Sequence, residues 1–291
     1  MKTKQISNGI LLLDARNFNI EEILECGQCF RFEKIDEGHY LLVALGRILY
    51  VRQRGNEVIF EYPDAKLTLD EFARLWIPYF DLGRDYGAIL AKICHDDPVM
   101  AKAAAFAPGI RILQQEPWEM LISFIISQNN RIPQIKKIIK SISERFGEPI
   151  RGGFYAFPTL EEFAAATDED LRECKAGFRA KYLLSGRGVA AAGGLPLSRD
   201  TTMPTGRLRE ALLKINGVGE KVAHCILLFG YGRFETFPVD TWVQKVMTQY
   251  YFDGRDAKVS DIHNLAKARF GELSGFAQQY LFHYIRLSKD V

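Results

Sequence analysis

Between Phe30 and Tyr62 the hydrophobic positions fall in short runs broken by turn residues: FRFEKI, DEG, YLLVAL, GRILYV, RGN and EVIFEY. β-Branched and aromatic runs separated by glycine-containing turns predict the strands of an antiparallel meander. By this pattern it is the only strongly β region of the chain. At Thr68 the period changes. Thr68-x-x-Glu71 has the form of a capping box, and EFARLWIPYF around it carries apolar residues at helical spacing. Helical patterning then continues almost to the C-terminus. Thr159 with Glu162 and Thr167 with Asp170 read as further helix starts, and Gly147, Gly152-Gly153 and Gly193-Gly194 punctuate the run. The expected fold class is α+β. A small N-terminal domain containing an antiparallel sheet covers 1–108, and a larger α-helical domain covers 109–291, with the division near Pro108 and Gly109.

Composition narrows the class. A chain of 291 residues with 47% hydrophobic and 25% charged positions is that of a globular protein, not a disordered or fibrous one. The net charge of +2 does not by itself announce a nucleic-acid binder, so any such surface is local. Near the N-terminus only Ile10–Leu13 is continuously apolar, far short of a secretory core or a membrane span, and a cytoplasmic protein with no membrane partner is expected. The five cysteines (Cys26, Cys29, Cys94, Cys174, Cys225) are odd in number and scattered, which favours reduced thiols.

Candidate chemistry gathers in LLKINGVGEKVAHCILLF. An amphipathic segment ends at Asn216, and Gly217-Val218-Gly219 turns the chain into a second helix starting near Glu220. Two glycines around one apolar residue leave backbone N–H groups exposed at a helix N-terminus, which suits a phosphate, while Val218 anchors the turn. A plain αα-hairpin turn is the bland alternative. Lys221 stands in the first helical turn, where the macrodipole disfavours a cation, so a lysine there is a candidate nucleophile as well as an ordinary surface charge. Cys225 lies four residues on, on the same helix face, and could exchange a proton with it or simply pack in the core. In TFPVDTWVQKV, Asp240 is placed to cap the helix beginning at Thr241, or to support an attacking group electrostatically.

A G-V-G-x-K hairpin followed about twenty residues later by P-V-D resembles the helix-hairpin-helix DNA glycosylase superfamily. Four further blocks extend the resemblance to the 8-oxoguanine glycosylase/lyase family: GQCFRF (27–32), GIRILQQEPWEMLISFIISQNNRI (109–132), AGFRAKYL (176–183) and GFAQQYLF (275–282). The resemblance implies that Lys221 attacks C1′ of the damaged nucleotide to form a Schiff base, with Asp240 supporting that step. It implies that the Gly27 carbonyl accepts the N7 hydrogen of 8-oxoguanine, that Gln278 reads the Watson–Crick edge, and that Phe282 and Cys225 flank the base plane. Asn129 would fill the space left by the flipped base, Phe178 would act as wedge, and Arg179 would face the orphaned cytosine. Gly217, Val218 and Gly219 would contact a phosphate. The implied partner is double-stranded DNA containing 8-oxoguanine, bound by a monomer without metal or cofactor. Two positions depart from the better-known eukaryotic members: Gln134 replaces an arginine that reads the opposite cytosine, and Trp242 replaces a histidine near the DNA backbone. Compact length is similar to the bacterial branch.

Rival readings rest on other features. Relatives such as endonuclease III carry four cysteines for an iron–sulfur cluster beyond the hairpin, and no cysteine follows Cys225. Cys26-x-x-Cys29 lacks a second pair to complete a zinc site. A non-catalytic hairpin DNA binder, a related glycosylase with another lesion specificity, and a Schiff-base enzyme acting on small molecules remain as alternatives. The last fits poorly with a chain that has no repeated βα pattern.

Overall fold

The structure is a computed structural model and describes residues 2–288. Six strands form one antiparallel sheet in the order β1-β2-β6-β5-β4-β3. They are β1 (Lys2–Gln5), β2 (Gly9–Leu13), β3 (Phe32–Asp36), β4 (His39–Ala44), β5 (Arg47–Arg54) and β6 (Glu57–Glu61). The expected meander supplies β3 to β6, but β1 and β2 lie outside the stretch expected to hold all strong β structure. They form a hairpin, and β2 continues the sheet by pairing Gly9 with Glu61 and Leu12 with Val58. β4 shows why this sheet needs cover on one side. Tyr40, Leu42 and Ala44 enter its main core, whereas Leu41 and Val43 point the other way into a small cluster with Ile48. The main core is closed by α1 (Ile20–Glu25) and by the helical segment 69–79. In that segment α2 (Leu69–Glu71) and α3 (Ile77–Tyr79) flank a π turn at Phe72–Trp76.

The rest is helical: α4 (Tyr86–Ile93), α5 (Pro98–Phe106), α6 (Pro117–Ser127), α7 (Ile132–Phe146), α8 (Asp168–Glu173), α9 (Ala180–Ala191), α10 (Thr205–Leu213), α11 (Glu220–Phe229), α12 (Thr241–Tyr251), α13 (Val259–Phe270) and α14 (Ser274–Leu287). Their buried faces share one core around α6, α11 and α14. The three expected capping boxes differ in outcome. Thr167 and Asp170 form a complete reciprocal box opening α8. Thr159 and Glu162 make both bonds but open only a single 3₁₀ turn. Thr68 accepts from the Glu71 N–H, but the Glu71 carboxylate pairs with Arg47 across to β5 instead.

Gln28, fully buried, ties the sheet unit to the helical core. Its side chain donates to the Ile23 and Arg111 carbonyls and accepts from the Leu113 N–H, while Gln115 donates to the Gln28 carbonyl. A buried amide with each polar atom bonded fixes the loop Cys26–Cys29 against the extended segment 110–115. α14 runs past the same loop.

Candidate active site

The hairpin folds as its residues dictate. α10 ends at Leu213, Gly217 adopts φ +80°, Val218 is buried, and Gly219 is the residue before α11. A side chain at Gly217 would collide with the Tyr182 ring at 2.3 Å, so glycine serves both the left-handed turn and close packing. Lys221 sits in the first turn of α11 with its ammonium 5.7 Å from the centroid of Phe124, a ring from α6 that stacks on Phe229 at 5.4 Å. Cys225, one turn on, is buried and lines the same cavity as Lys221. Burial pushes its thiol up, and nearby Lys221 offsets this only in part, so the thiol stays protonated and the suggested thiolate–ammonium pair is not favoured.

Asp240 caps α12, its Oδ1 accepting from the Val243 N–H at 2.8 Å. It shares a cavity with Lys221, although each of the two helices has its main packing elsewhere. α11 packs chiefly on α6 and α10, and α12 on α14. The Phe237 carbonyl, three residues before Asp240, is held by His224 of α11 at 3.2 Å and by His263 of α13 at 3.0 Å. Burial lowers the pKa of both imidazoles, so each is a neutral ring spending its N–H on this one acceptor.

Lys221, Cys225 and Asp240 meet Gly27, Gln278 and Phe282 around one cavity, which Phe124, Phe229, Pro238 and Gln279 complete. Gly27 has φ +83°, and a methyl group there would stand 3.3 Å from the Phe282 ring. Gln278 is 5% exposed, and its Oε1 is buried without a hydrogen-bond partner. Gln278 is therefore not a surface residue. A buried orphan acceptor is costly unless a ligand N–H satisfies it. Sequence reading missed Phe124, Gln279, His224 and His263; the first lies within the 109–132 block and the second beside Gln278.

The second group lies at the hairpin's flank. Phe178, just before α9, is 51% exposed and meets Tyr182 edge to face at 5.9 Å. It is therefore no core residue, and through Tyr182 it touches the Gly217 turn. Asn129, exposed and at φ +47°, and Gln134, exposed in the first turn of α7, belong to the loop after α6 and the helix that follows. Arg179 departs from expectation. Instead of extending outward it is 8% exposed, stacks on Phe178 at 4.5 Å, and donates to the Gln128 carbonyl at 2.9 Å and the Asn129 carbonyl at 3.0 Å. Here it braces the Asn129 loop. Trp242 is exposed in the first turn of α12.

The two thiols of Cys26-x-x-Cys29 enter different cores, and burial pushes the Cys26 thiol up to about 11. Among the described residues no cluster of three or more His, Cys, Asp or Glu is arranged to hold a metal, and no helix is long and apolar enough to cross a membrane.

Two family models match the chain: "8-oxoguanine DNA glycosylase, N-terminal domain" over residues 10–121 and "HhH-GPD superfamily base excision DNA repair protein" over residues 122–271. The chain belongs to the HhH-GPD superfamily. Its relatives include the N-glycosylase/DNA lyase OGG1 of Arabidopsis thaliana, 30% identical over 88% of this chain and 74% of the relative. The N-glycosylase/DNA lyase of Saccharomyces cerevisiae is 31% identical over 84% and 71%. Among solved structures, the 8-oxoguanine glycosylase/lyase of Clostridium acetobutylicum, in complex with double-stranded DNA containing cytosine opposite 8-oxoguanine, superposes with a TM-score of 0.91 at 40% identity over 98% of each chain. The HhH-GPD assignment gives the hairpin at Gly217 and the Pro238-Val239-Asp240 turn a common setting in base excision repair.

Proposed function

We propose that this chain is a bifunctional DNA glycosylase and lyase that excises 8-oxoguanine from duplex DNA. The carrying observation is the convergence of Lys221, Asp240, Gly27, Gln278 and Phe282, from four distant stretches of sequence, on one cavity. In this reading the lesion is flipped into the cavity, between the Phe282 ring and the Cys225 side of α11. The Gly27 carbonyl accepts the hydrogen on N7, and the orphan Oε1 of Gln278 accepts from the Watson–Crick edge. Lys221 attacks C1′ as a neutral amine and the base leaves with the C1′–N bonding pair, taking up a proton; the C1′–O4′ bond then opens, O4′ gaining the proton lost from the lysine nitrogen, and the C1′=N protonated Schiff base forms. The negative Asp240 stabilises positive charge growing at the sugar. Proton abstraction at C2′ then expels the 3′ phosphate by β-elimination.

Phe178 serves as the wedge and Asn129 fills the emptied position, with Gly217, Val218 and Gly219 presenting backbone to a phosphate. Arg179 reaches the orphaned cytosine only by exchanging its carbonyl contacts for the base, and Gln134 supplies a neutral amide on the same side. In this reading the protein works as a monomer on the DNA of a bacterial cytoplasm. The test is excision from duplexes carrying 8-oxoguanine opposite each of the four bases. Wild type should release the base, and Lys221→Gln should lose at least about a thousandfold in rate while still binding the damaged duplex. Equal rates would overturn the assignment. Equal excision opposite all four partners would remove Arg179 and Gln134 as readers of the opposite base.

A further inference from the structure

α1 ends at Glu25, so its last carbonyls need partners from elsewhere. They come from α14. Gln279, 2% exposed, donates through Nε2 to the Cys26 carbonyl at 2.9 Å. Arg286, seven residues on and so on the same helix face, donates through Nη2 to the Glu25 carbonyl. The Arg286 guanidinium also lies 5.2 Å over the Phe282 ring, and its Nη1 would stand 3.2 Å from a methyl group placed on Gly27. The two peptides immediately before Gly27 are thus clamped by side chains about 250 positions away in sequence, on the helix that also carries Gln278 and Phe282.

We infer that Gln279 and Arg286 are specificity-determining positioning residues: they hold the Gly27 peptide in register with Gln278 and Phe282, and so set discrimination between a purine bearing hydrogen on N7 and one lacking it. This rests on the proposed reading in which Gly27 meets the N7 edge. Neither side chain need touch the lesion. A hydrogen-bond acceptor discriminates only when its position is fixed, and a peptide free to rotate would accommodate guanine's N7 lone pair by turning its carbonyl away. The clamp holds that peptide from the preceding residues, and buried Gln28, bonded through its side chain to Ile23, Arg111 and Leu113, holds it from the following one.

The experiment uses the full chain in a Lys221→Gln background, so that binding is read without turnover. Dissociation constants are measured for duplexes with 8-oxoguanine, guanine or a base-free tetrahydrofuran residue opposite cytosine. Gln279→Met, of similar length without a donor, should reduce the preference for 8-oxoguanine over guanine roughly five- to tenfold while affinity for the base-free duplex holds. Arg286→Met should do the same, and Arg286→Lys should retain most of the preference. Unchanged preference in both Met variants overturns the inference, as does an equal loss on all three duplexes, the mark of a helix cap and nothing more. If the Lys221→Gln parent itself shows no preference for 8-oxoguanine, the underlying reading fails and takes this inference with it.

Discussion

The cavity around Lys221 and the flank carrying Phe178 are joined through Tyr182 and Gly217, yet they are built on opposite plans. In the cavity, polar groups are drawn inward: Gln278 is 5% exposed with an orphan oxygen, and half-buried Asp240 is fixed by its cap. At the flank an aromatic ring is 51% exposed while the neighbouring arginine is tucked inward on loop carbonyls. Each region pays a desolvation or exposure cost that folding alone does not require. Buried acceptors without donors select for a ligand with N–H groups. An exposed ring beside a loop in left-handed conformation selects for an apolar gap to fill, such as a space opened between stacked bases.

Breaking the cavity should cost chemistry. Asp240→Asn keeps a competent cap but removes the charge, so the excision rate should fall about a hundredfold with the melting temperature nearly unchanged. A matched fall in stability would make Asp240 a cap alone. Gln278→Ala should act on selection more than on turnover, and competition between 8-oxoguanine and other purine lesions should show a preference narrowed by about tenfold. An unchanged ranking would remove Gln278 as edge reader. At the flank the effect should be smaller and confined to paired substrates. Phe178→Ala is expected to shift stability by no more than about 0.5 kcal/mol while slowing excision from duplex severalfold. Comparable slowing on a single strand would contradict the wedge.

The helix that serves both regions offers a control with no expected effect on catalysis. α6 sends Phe124 to the cavity and leads into the Asn129 loop, and beneath them it buries Glu119 near Arg31 at 3.7 Å. Burial pushes the Glu119 carboxyl up to about 7, with Arg31 opposing in part. The folded state then holds this proton more tightly than the unfolded chain. Stability from this group is greatest below about pH 4.5 and declines as pH rises to about 7, by up to about 3 kcal/mol. Glu119→Gln should therefore gain on wild type progressively over that window, read as melting temperature against pH. A constant difference across the window would refute the shifted carboxyl.

What was legible in the sequence depended on few neighbours. The Gly217 turn, the Asp240 cap and the Thr167 box each need only a handful of adjacent residues, and each formed as read. The β1–β2 hairpin did not show itself because KTKQ has no apolar alternation and β2 finds its partner in β6, some fifty residues on. The same limit applies to the site. Lys221, Gly27 and Gln278 share a cavity through packing that no local spacing encodes, and they were nameable together only through family resemblance. Bonds that close over long separations, Gln279 to Cys26 or Arg179 to the Asn129 loop, left no local pattern to read.

The central claim is that Lys221 forms a covalent imine with the sugar of the excised nucleotide. Borohydride reduction during reaction with an 8-oxoguanine duplex, followed by proteolysis and mass mapping of the cross-linked peptide, tests it most directly. The account predicts one adduct, on the peptide carrying Lys221, absent from the Lys221→Gln variant. Base release without an adduct, or an adduct on another lysine, would contradict it.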